Sequence, residues 1–324
     1  MKNIRTDLAL EAKEMHSEQN QDSIPGVKVD QYQDDDITVT RVEIMSPLGE
    51  ERLGKPQGHY ITIEAPGIKN RDPEYEEKVS QYLADELRKI TRLGPSSTTL
   101  IVGLGNWRIT PDALGPKVVE RMMVTRHILE LMPDQVDERV RSVCAIAPGV
   151  LGITGIETGE IIKGIADRIK PDLIIAIDAL ASRKTDRIGC TIQIADTGIS
   201  PGSGIGNRRT AINAETLGAP TIAIGVPTVV YAHTIGRDSL EILIREFSNQ
   251  AVPGSPFYKM LKEMDESQLD ALVAQVLTQG LGDLVVTPKE VDMLIDDVAG
   301  IISDGLNLAL HQDISLEEVQ RFLH

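Results

Sequence analysis

Five apolar runs rich in β-branched residues recur between residues 98 and 226: TTLIVG, VCAIA, DLIIAIDALA, TIQIA and TIAIGV. They carry few polar residues, so both faces of each must be covered, as in the buried strands of a parallel sheet. Helical patterns fall between them, over 111–132 and 158–169, with another over 238–247. This succession predicts an α/β fold: a doubly wound, mostly parallel sheet with helices on both faces. Aromatic residues make up only 3% of the chain, so the core must rest on Ile, Val, Leu and Ala.

The flanks read differently. ITVTRVEIM (37–45) and HYITIEAPG (59–67) alternate as half-buried strands do, around the turn-rich PLGEERLGKPQG, which predicts a small N-terminal β extension. A helical pattern covers 72–92. Residues 8–36 are polar and end in Asp34-Asp35-Asp36, the composition of a mobile arm. The α/β core with its extension then spans 37–250, and 251–324 is a helical C-terminal region of short amphipathic helices. Thr287-Pro288-Lys289-Glu290 and Ser315-Leu316-Glu317-Glu318 both read as capping-box starts within it.

A net charge of −16 argues against nucleic acid, whose binders need basic surface to displace counterions. The two cysteines form no CxxC, so no disulfide framework is expected and the compartment is a reducing one. The N-terminus lacks an apolar signal core, and no apolar run is long enough to span a bilayer, so a cytoplasmic location with no membrane partner is expected.

The turn after the first buried run, GLGNWRITPDALGP, looks like the entrance to a nucleotide site but lacks its glycine spacing. Gly103 and Gly105 are followed by Asn106-Trp107-Arg108, and no Gly-Lys-Ser/Thr is present. Thr110 suits an N-cap and Pro111 a first helical position, which sets Asp112 in the first turn. A carboxylate there repels the phosphate that free N–H groups would attract. Asp112 complements the helix dipole in one reading and is a functional acid at a strand's carboxyl end in the other.

Asp178, in PDLIIAIDALASR, leaves a second apolar strand at an equivalent place, where burying a charge is costly without a partner or a task. Two carboxyls whose surroundings push their proton affinities apart can serve as base and acid. Other constellations fail. Gly198-Ile199-Ser200-Pro201-Gly202 matches a nucleophile elbow, but Pro201 has no N–H for the oxyanion hole. Cys144 and Cys190 have no activating neighbour, and the six histidines form no H-E-x-x-H, so no metal or cofactor is expected. His233 follows another strand and is assigned a polar, non-catalytic role. Basic loops, with Arg208 and Arg209 in one and Arg183, Lys184 and Arg187 in another, would receive acidic substrate groups in an otherwise acidic protein.

Taken together these residues resemble the germination proteases of spore-forming bacteria. The blocks that carry the resemblance are IRTDLALEAKE, LIVGLGNWRITPDALGP, APGVLGITGIETGEI, KPDLIIAIDALASR, TIQIADTGISPGSGIGNRR and TLGAPTIAIGVPTVV. The resemblance implies an endopeptidase that degrades small acid-soluble spore proteins, located in the forespore or spore core and assembled as a homotetramer. It implies an essential pair Asp112 and Asp178 acting in an aspartic-type mechanism without metal, although such activity has been grouped with the metallopeptidases. It also implies a self-processing zymogen that cuts after an acid and before a hydrophobic residue followed by alanine. Thr6-Asp7-Leu8-Ala9 fits that pattern, which makes 1–7 a propeptide removed between Asp7 and Leu8. Two positions depart from the family: Ile4 stands where an acid is favoured, and Tyr231 where an acid is common. The same turn and acids are similar to those of hydrogenase maturation peptidases, which leaves a nickel-dependent peptidase as the alternative. A non-enzymatic protein that holds acidic partners on its arginine loops is a third reading.

Overall fold

The computed structural model describes residues 6–19, 24–199, 210–252, 254–256 and 284–323. Its strands are β1 (Val27–Asp34), β2 (Ile37–Ile44), β3 (Gly58–Glu64), β4 (Thr98–Gly103), β5 (Ser142–Ile146), β6 (Leu173–Ser182), β7 (Thr191–Ala195), β8 (Thr221–Tyr231) and β9 (Val285–Val286). The helices are α1 (Ala9–Gln19), α2 (Pro47–Leu53), α3 (Pro73–Ile90), α4 (Leu114–Glu120), α5 (Arg126–Leu131) and α6 (Leu151–Thr154). They continue with α7 (Thr158–Ile169), α8 (Ala214–Leu217), α9 (Ala232–Gln250), α10 (Val291–Leu310) and α11 (Leu316–Leu323).

All the strands belong to one sheet, ordered β1-β2-β3-β7-β8-β6-β4-β5, with β9 on the far end of β8. The apolar runs β8, β6, β4 and β5 pair in parallel, as expected. Antiparallel pairing joins β8 to β7 and continues through β3, β2 and β1, so the N-terminal extension is continuous with the core sheet. Alternation along β6 sorts the layers. Ile175 and Ile177 pack under α3, α4 and α10, through Leu83, Leu114 and Leu306. Ile174 and Ala176 pack on the opposite face under α7 and α8, through Ile162 and Leu217. Each of these large apolar side chains contributes about 1.5–3 kcal/mol by leaving water.

Several expectations need correction. The segment 8–36, read as a mobile arm, contains α1 and β1. Leu8 and Ala9 are fully buried, and Ala9 packs with Val42, Ile44, Tyr60 and Ala195. β1 is an edge strand whose side chains are mostly exposed, so it has no hydrophobic alternation to read. The turn-rich 46–57 stretch contains α2, started by the Ser46 hydroxyl accepting from the Gly49 amide and stopped by Gly54 in the left-handed region. The helix expected over 111–132 is split. Thr125 is fully buried and bridges to β5: its amide donates to the Val143 carbonyl at 3.0 Å and not to a carbonyl four residues back, and its hydroxyl donates to the Arg141 carbonyl and accepts from the Val143 amide.

The C-terminal region is not built only of short amphipathic helices. α10 runs 20 residues and is buried along most of its second half. Its Gly305 has no Cβ to strike Leu83 and the Ser80 carbonyl, so α10 lies close against α3. The first capping box does not form, since α10 begins after Glu290 with no side-chain cap. The second does: the Ser315 amide donates to Glu318 at 2.9 Å, and the Glu318 amide to the Ser315 hydroxyl at 3.3 Å. Among the described residues no helix is long and apolar enough to cross a membrane.

His311, at the end of α10, is buried and accepts the Arg141 amide at Nδ1, 3.2 Å away. Burial, reinforced by the Arg141 charge, pushes its pKa down to about 4. The unfolded chain takes a proton near pH 6.5 that the folded chain refuses, so stability present above that pH is lost as the pH falls toward 4. The full penalty is about 3 kcal/mol. His311→Asn keeps an acceptor for Arg141 and is expected to flatten the pH 6.5-to-4 limb of a urea-unfolding profile.

Candidate active site

The glycine turn is explained by close packing. A Cβ on Gly103 would lie 2.2 Å from the Gly115 carbonyl oxygen. One on Gly115 would lie 2.3 Å from the Leu104 oxygen and 2.6 Å from that of Ile177. Main-chain atoms cannot swing aside, so only glycine lets the first turn of α4 press onto the end of β4 and the middle of β6. Gly105, at φ +113°, then sends the chain outward. The loop closes when the Asn106 amide donates to the Asp112 carbonyl at 2.9 Å. That closure moves the helix start. Thr110–Asp112 forms a single 3-10 turn, Thr110 makes no N-cap, and α4 begins only at Leu114.

Asp112 is half-buried on that 3-10 turn, which packs against β6 and β8. Asp178 is also half-buried, and it lies inside β6 and not at its end. What ends there is the neighbour: β4 stops at Gly103, opposite Ile177, and the Leu104 amide makes the last link to the Ile177 carbonyl at 2.8 Å. Asp178 is therefore the first β6 residue beyond the reach of β4, while it pairs with Gly225 of β8 on the other side. Its Oδ1 accepts the Ala179 amide at 2.9 Å. Strand alternation gives Asp178 the face of Ile174 and Ala176. Ile199 and Ile212, paired with each other, pack on that same face. Arg208, Arg209 and Ser200, which fall between these two residues in the sequence, lie outside the described residues.

His233, in the first turn of α9, stacks on Tyr231 with ring centroids 5.2 Å apart. Among the described residues no group of three or more His, Cys, Asp and Glu side chains could hold a metal ion. A nickel site would need a further ligand beyond them. Burial pushes the thiols of Cys144 and Cys190 up from their ordinary pKa, so neither is activated as a nucleophile.

The other basic loop is engaged within the chain. The Arg183 guanidinium lies 3.3 Å from Asp238, and the Arg183 amide donates to Glu11 at 2.7 Å. Lys184 reaches Glu14 at 2.9 Å, and Arg187 contacts Glu11, Glu14 and Glu64 at 3.2, 2.6 and 2.9 Å. Burial alone would raise the Glu14 carboxyl, but hydrogen bonds from Arg187 and Lys184 outweigh it and hold the group below its ordinary pKa.

Asp7 pairs with Ala181 of β6. Its amide donates to the Ala181 carbonyl at 3.1 Å, and its carboxylate accepts the Ala181 amide at 2.9 Å. The Asp7 carbonyl accepts from Lys55 at 2.9 Å and from Gln193 at 3.2 Å. Gln193 also accepts the Ala9 amide at 2.6 Å, so the 7–9 segment is held on both sides of Leu8. Burial pushes the Lys55 ammonium down from its ordinary pKa, against the opposing charges of Asp7 and Glu11. Sequence reasoning missed Lys55, Gln193, Glu11 and Glu14. Only Gln193 left a trace, as the polar residue inside TIQIA.

The family model for germination protease matches residues 5–261 and 249–323. A germination protease of Caldanaerobacter subterraneus subsp. tengcongensis is 53% identical over 321 residues, covering 99% of this chain and 98% of the relative. One from Clostridium tetani is 50% identical, covering 99% of each chain. One from Bacillus mycoides is 42% identical over 357 residues, covering 99% of this chain and 97% of its own. The fold, the glycine-packed turn beside Asp178 and these matches along the whole chain lead to one assignment: it belongs to the germination protease family.

Proposed function

We propose that this chain is the endopeptidase that initiates degradation of small acid-soluble spore proteins, and that Asp112 and Asp178 form its catalytic pair. The observation that carries the reading is the seating of the Asp112 turn on β6, at the place where β4 ends and Asp178 begins the stretch of the strand's backbone that β4 leaves unpaired. One carboxylate would take a proton from water as it attacks the scissile carbonyl, and the other, protonated, would give one to the departing nitrogen. No metal or cofactor takes part in this scheme. Specificity for a bond after Glu or Asp, before a hydrophobic residue and alanine, would come from the basic loops.

The same reading makes residues 1–7 a propeptide released by cleavage between Asp7 and Leu8, the protein a homotetramer, and the forespore or spore core its location. Leu8 is fully buried and the Asp7 carbonyl is held by Lys55 and Gln193, so this segment must leave its seat before the bond is cut.

Incubation with a purified small acid-soluble spore protein tests the activity directly. Mass spectrometry is expected to find discrete products ending in Glu or Asp; an intact substrate would refute the reading. Replacing Arg208 and Arg209 together with alanine is expected to raise KM for acidic substrates roughly tenfold, with kcat little changed. An unchanged KM would remove those two residues from substrate binding.

A further inference from the structure

The end of β6 and the turn after it offer an unusual series of donors. The amides of Ala181, Arg183 and Lys184 all point at carboxylates, as do the side chains of Lys184 and Arg187. Apart from Glu64, which takes the remaining Arg187 nitrogen at 2.9 Å, those carboxylates belong to one short segment, residues 7–14. Asp7 takes the Ala181 amide at 2.9 Å. Glu11 takes the amides of Arg183 and Lys184 at 2.7 and 3.1 Å and the Arg187 guanidinium at 3.2 Å. Glu14 takes Lys184 at 2.9 Å and both ends of the Arg187 fork, at 2.6 and 3.1 Å. Glu11 is only 1% exposed and Arg187 only 6% exposed, so this is a desolvated receptor and no loose surface pairing.

From this we infer that the 181–187 stretch is a receptor for acidic peptide segments, occupied here by α1, and that α1 and an incoming acidic segment exchange on it. Three physical facts support exchange. Successive backbone amides with a bidentate guanidinium form a preorganised anion seat, and charge-assisted bonds of this kind are roughly twice as strong as neutral ones. The chain carries a net charge of −16, so a desolvated cationic seat stands out against the field an acidic peptide would otherwise meet. Vacating the seat would leave Arg187 buried with Glu64 as its one remaining acidic partner among the described residues, a costly state that another carboxylate relieves. Departure of α1 is thus coupled to arrival of a replacement. That the incoming segment is a substrate rests on the function proposed above; the receptor and the exchange do not.

Binding is measured on the full chain carrying Asp178→Asn, which separates it from cleavage. The probe is a fluorescein-labelled peptide with the sequence of residues 6–15, followed by fluorescence anisotropy. Adding Glu11→Gln and Glu14→Gln weakens the internal occupant and is expected to tighten peptide binding about tenfold or more. A peptide with Gln at the two Glu positions is expected to lose that gain, and so is the chain when Arg187→Lys is added. Circular dichroism checks the fold of each variant, and Glu14→Gln alone supplies the same ordering with a smaller shift if the double change unfolds the chain. Equal affinity for the Glu and Gln peptides, or equal binding with and without the Glu11 and Glu14 changes, would overturn the exchange. Peptide bound as expected with no spore protein cut by the unaltered enzyme would overturn the proposed chemistry and leave the receptor standing.

Discussion

Asp178→Asn is expected to lower the rate of spore-protein cleavage about a thousandfold or more while leaving the far-UV spectrum and melting temperature close to those of the parent. Asn occupies the same volume and can still accept the Ala179 amide through its side-chain oxygen, so that contact within β6 survives. What it cannot do is take up or release a proton. Asp112→Asn is expected to behave likewise, because the Asn106 amide closes the loop onto the Asp112 main-chain carbonyl, which the substitution leaves in place. If the two acids act as one unit, the double variant will be no slower than either single one, since each change alone already stops proton transfer. Single-turnover cleavage followed by mass spectrometry reads all three. Activity retained within tenfold in either single variant would remove that acid from the chemistry.

Why these positions were legible in the sequence, and their neighbours were not, has a physical basis. Asp178 interrupts an otherwise apolar run, and a charge inside such a run stands out against its burial cost. Asp112 follows a glycine turn after a buried strand, where open α/β sheets place their sites. The parallel strands were legible because a strand covered on both faces must be apolar throughout. β1 was invisible for the opposite reason: an edge strand with exposed side chains satisfies its backbone through a partner that leaves no mark on its own residues. α1 was hidden differently. Its stability rests on Glu11 and Glu14 meeting Arg187, a residue 173 positions away in the case of Glu14, and nothing in a polar N-terminal stretch announces such a partner. The break at Thr125 is a similar case, since its hydroxyl serves β5, whose approach only the folded chain reveals.

Gly115→Ala tests whether the turn works through close packing. The added methyl would stand 2.3 and 2.5 Å from the oxygen and nitrogen of Leu104 and 2.6 Å from the Ile177 oxygen. Real Cβ atoms do not approach so near, and all three obstacles are backbone, so the first turn of α4 must lift off the sheet. Overpacking of a rigid core costs about 1–3 kcal/mol, and a clash with main chain on two strands belongs at or above the upper end. Asp112, three residues earlier, sits on the 3-10 turn that leads into α4, and a displacement of about 1 Å at a reacting group costs about a hundredfold in rate. The variant is therefore expected to lose stability and activity together, in a melting curve and a cleavage assay. Gly164→Ala supplies the contrast: it lies within α7 with nothing near its Cβ, so the methyl costs no space and removes unfolded-state freedom. It is expected to add about 0.5–1 kcal/mol with activity unchanged. A Gly115→Ala protein that melts and cleaves like the parent would mean that the glycine does not seat the turn, and the placement of Asp112 beside β6 would lose its physical cause.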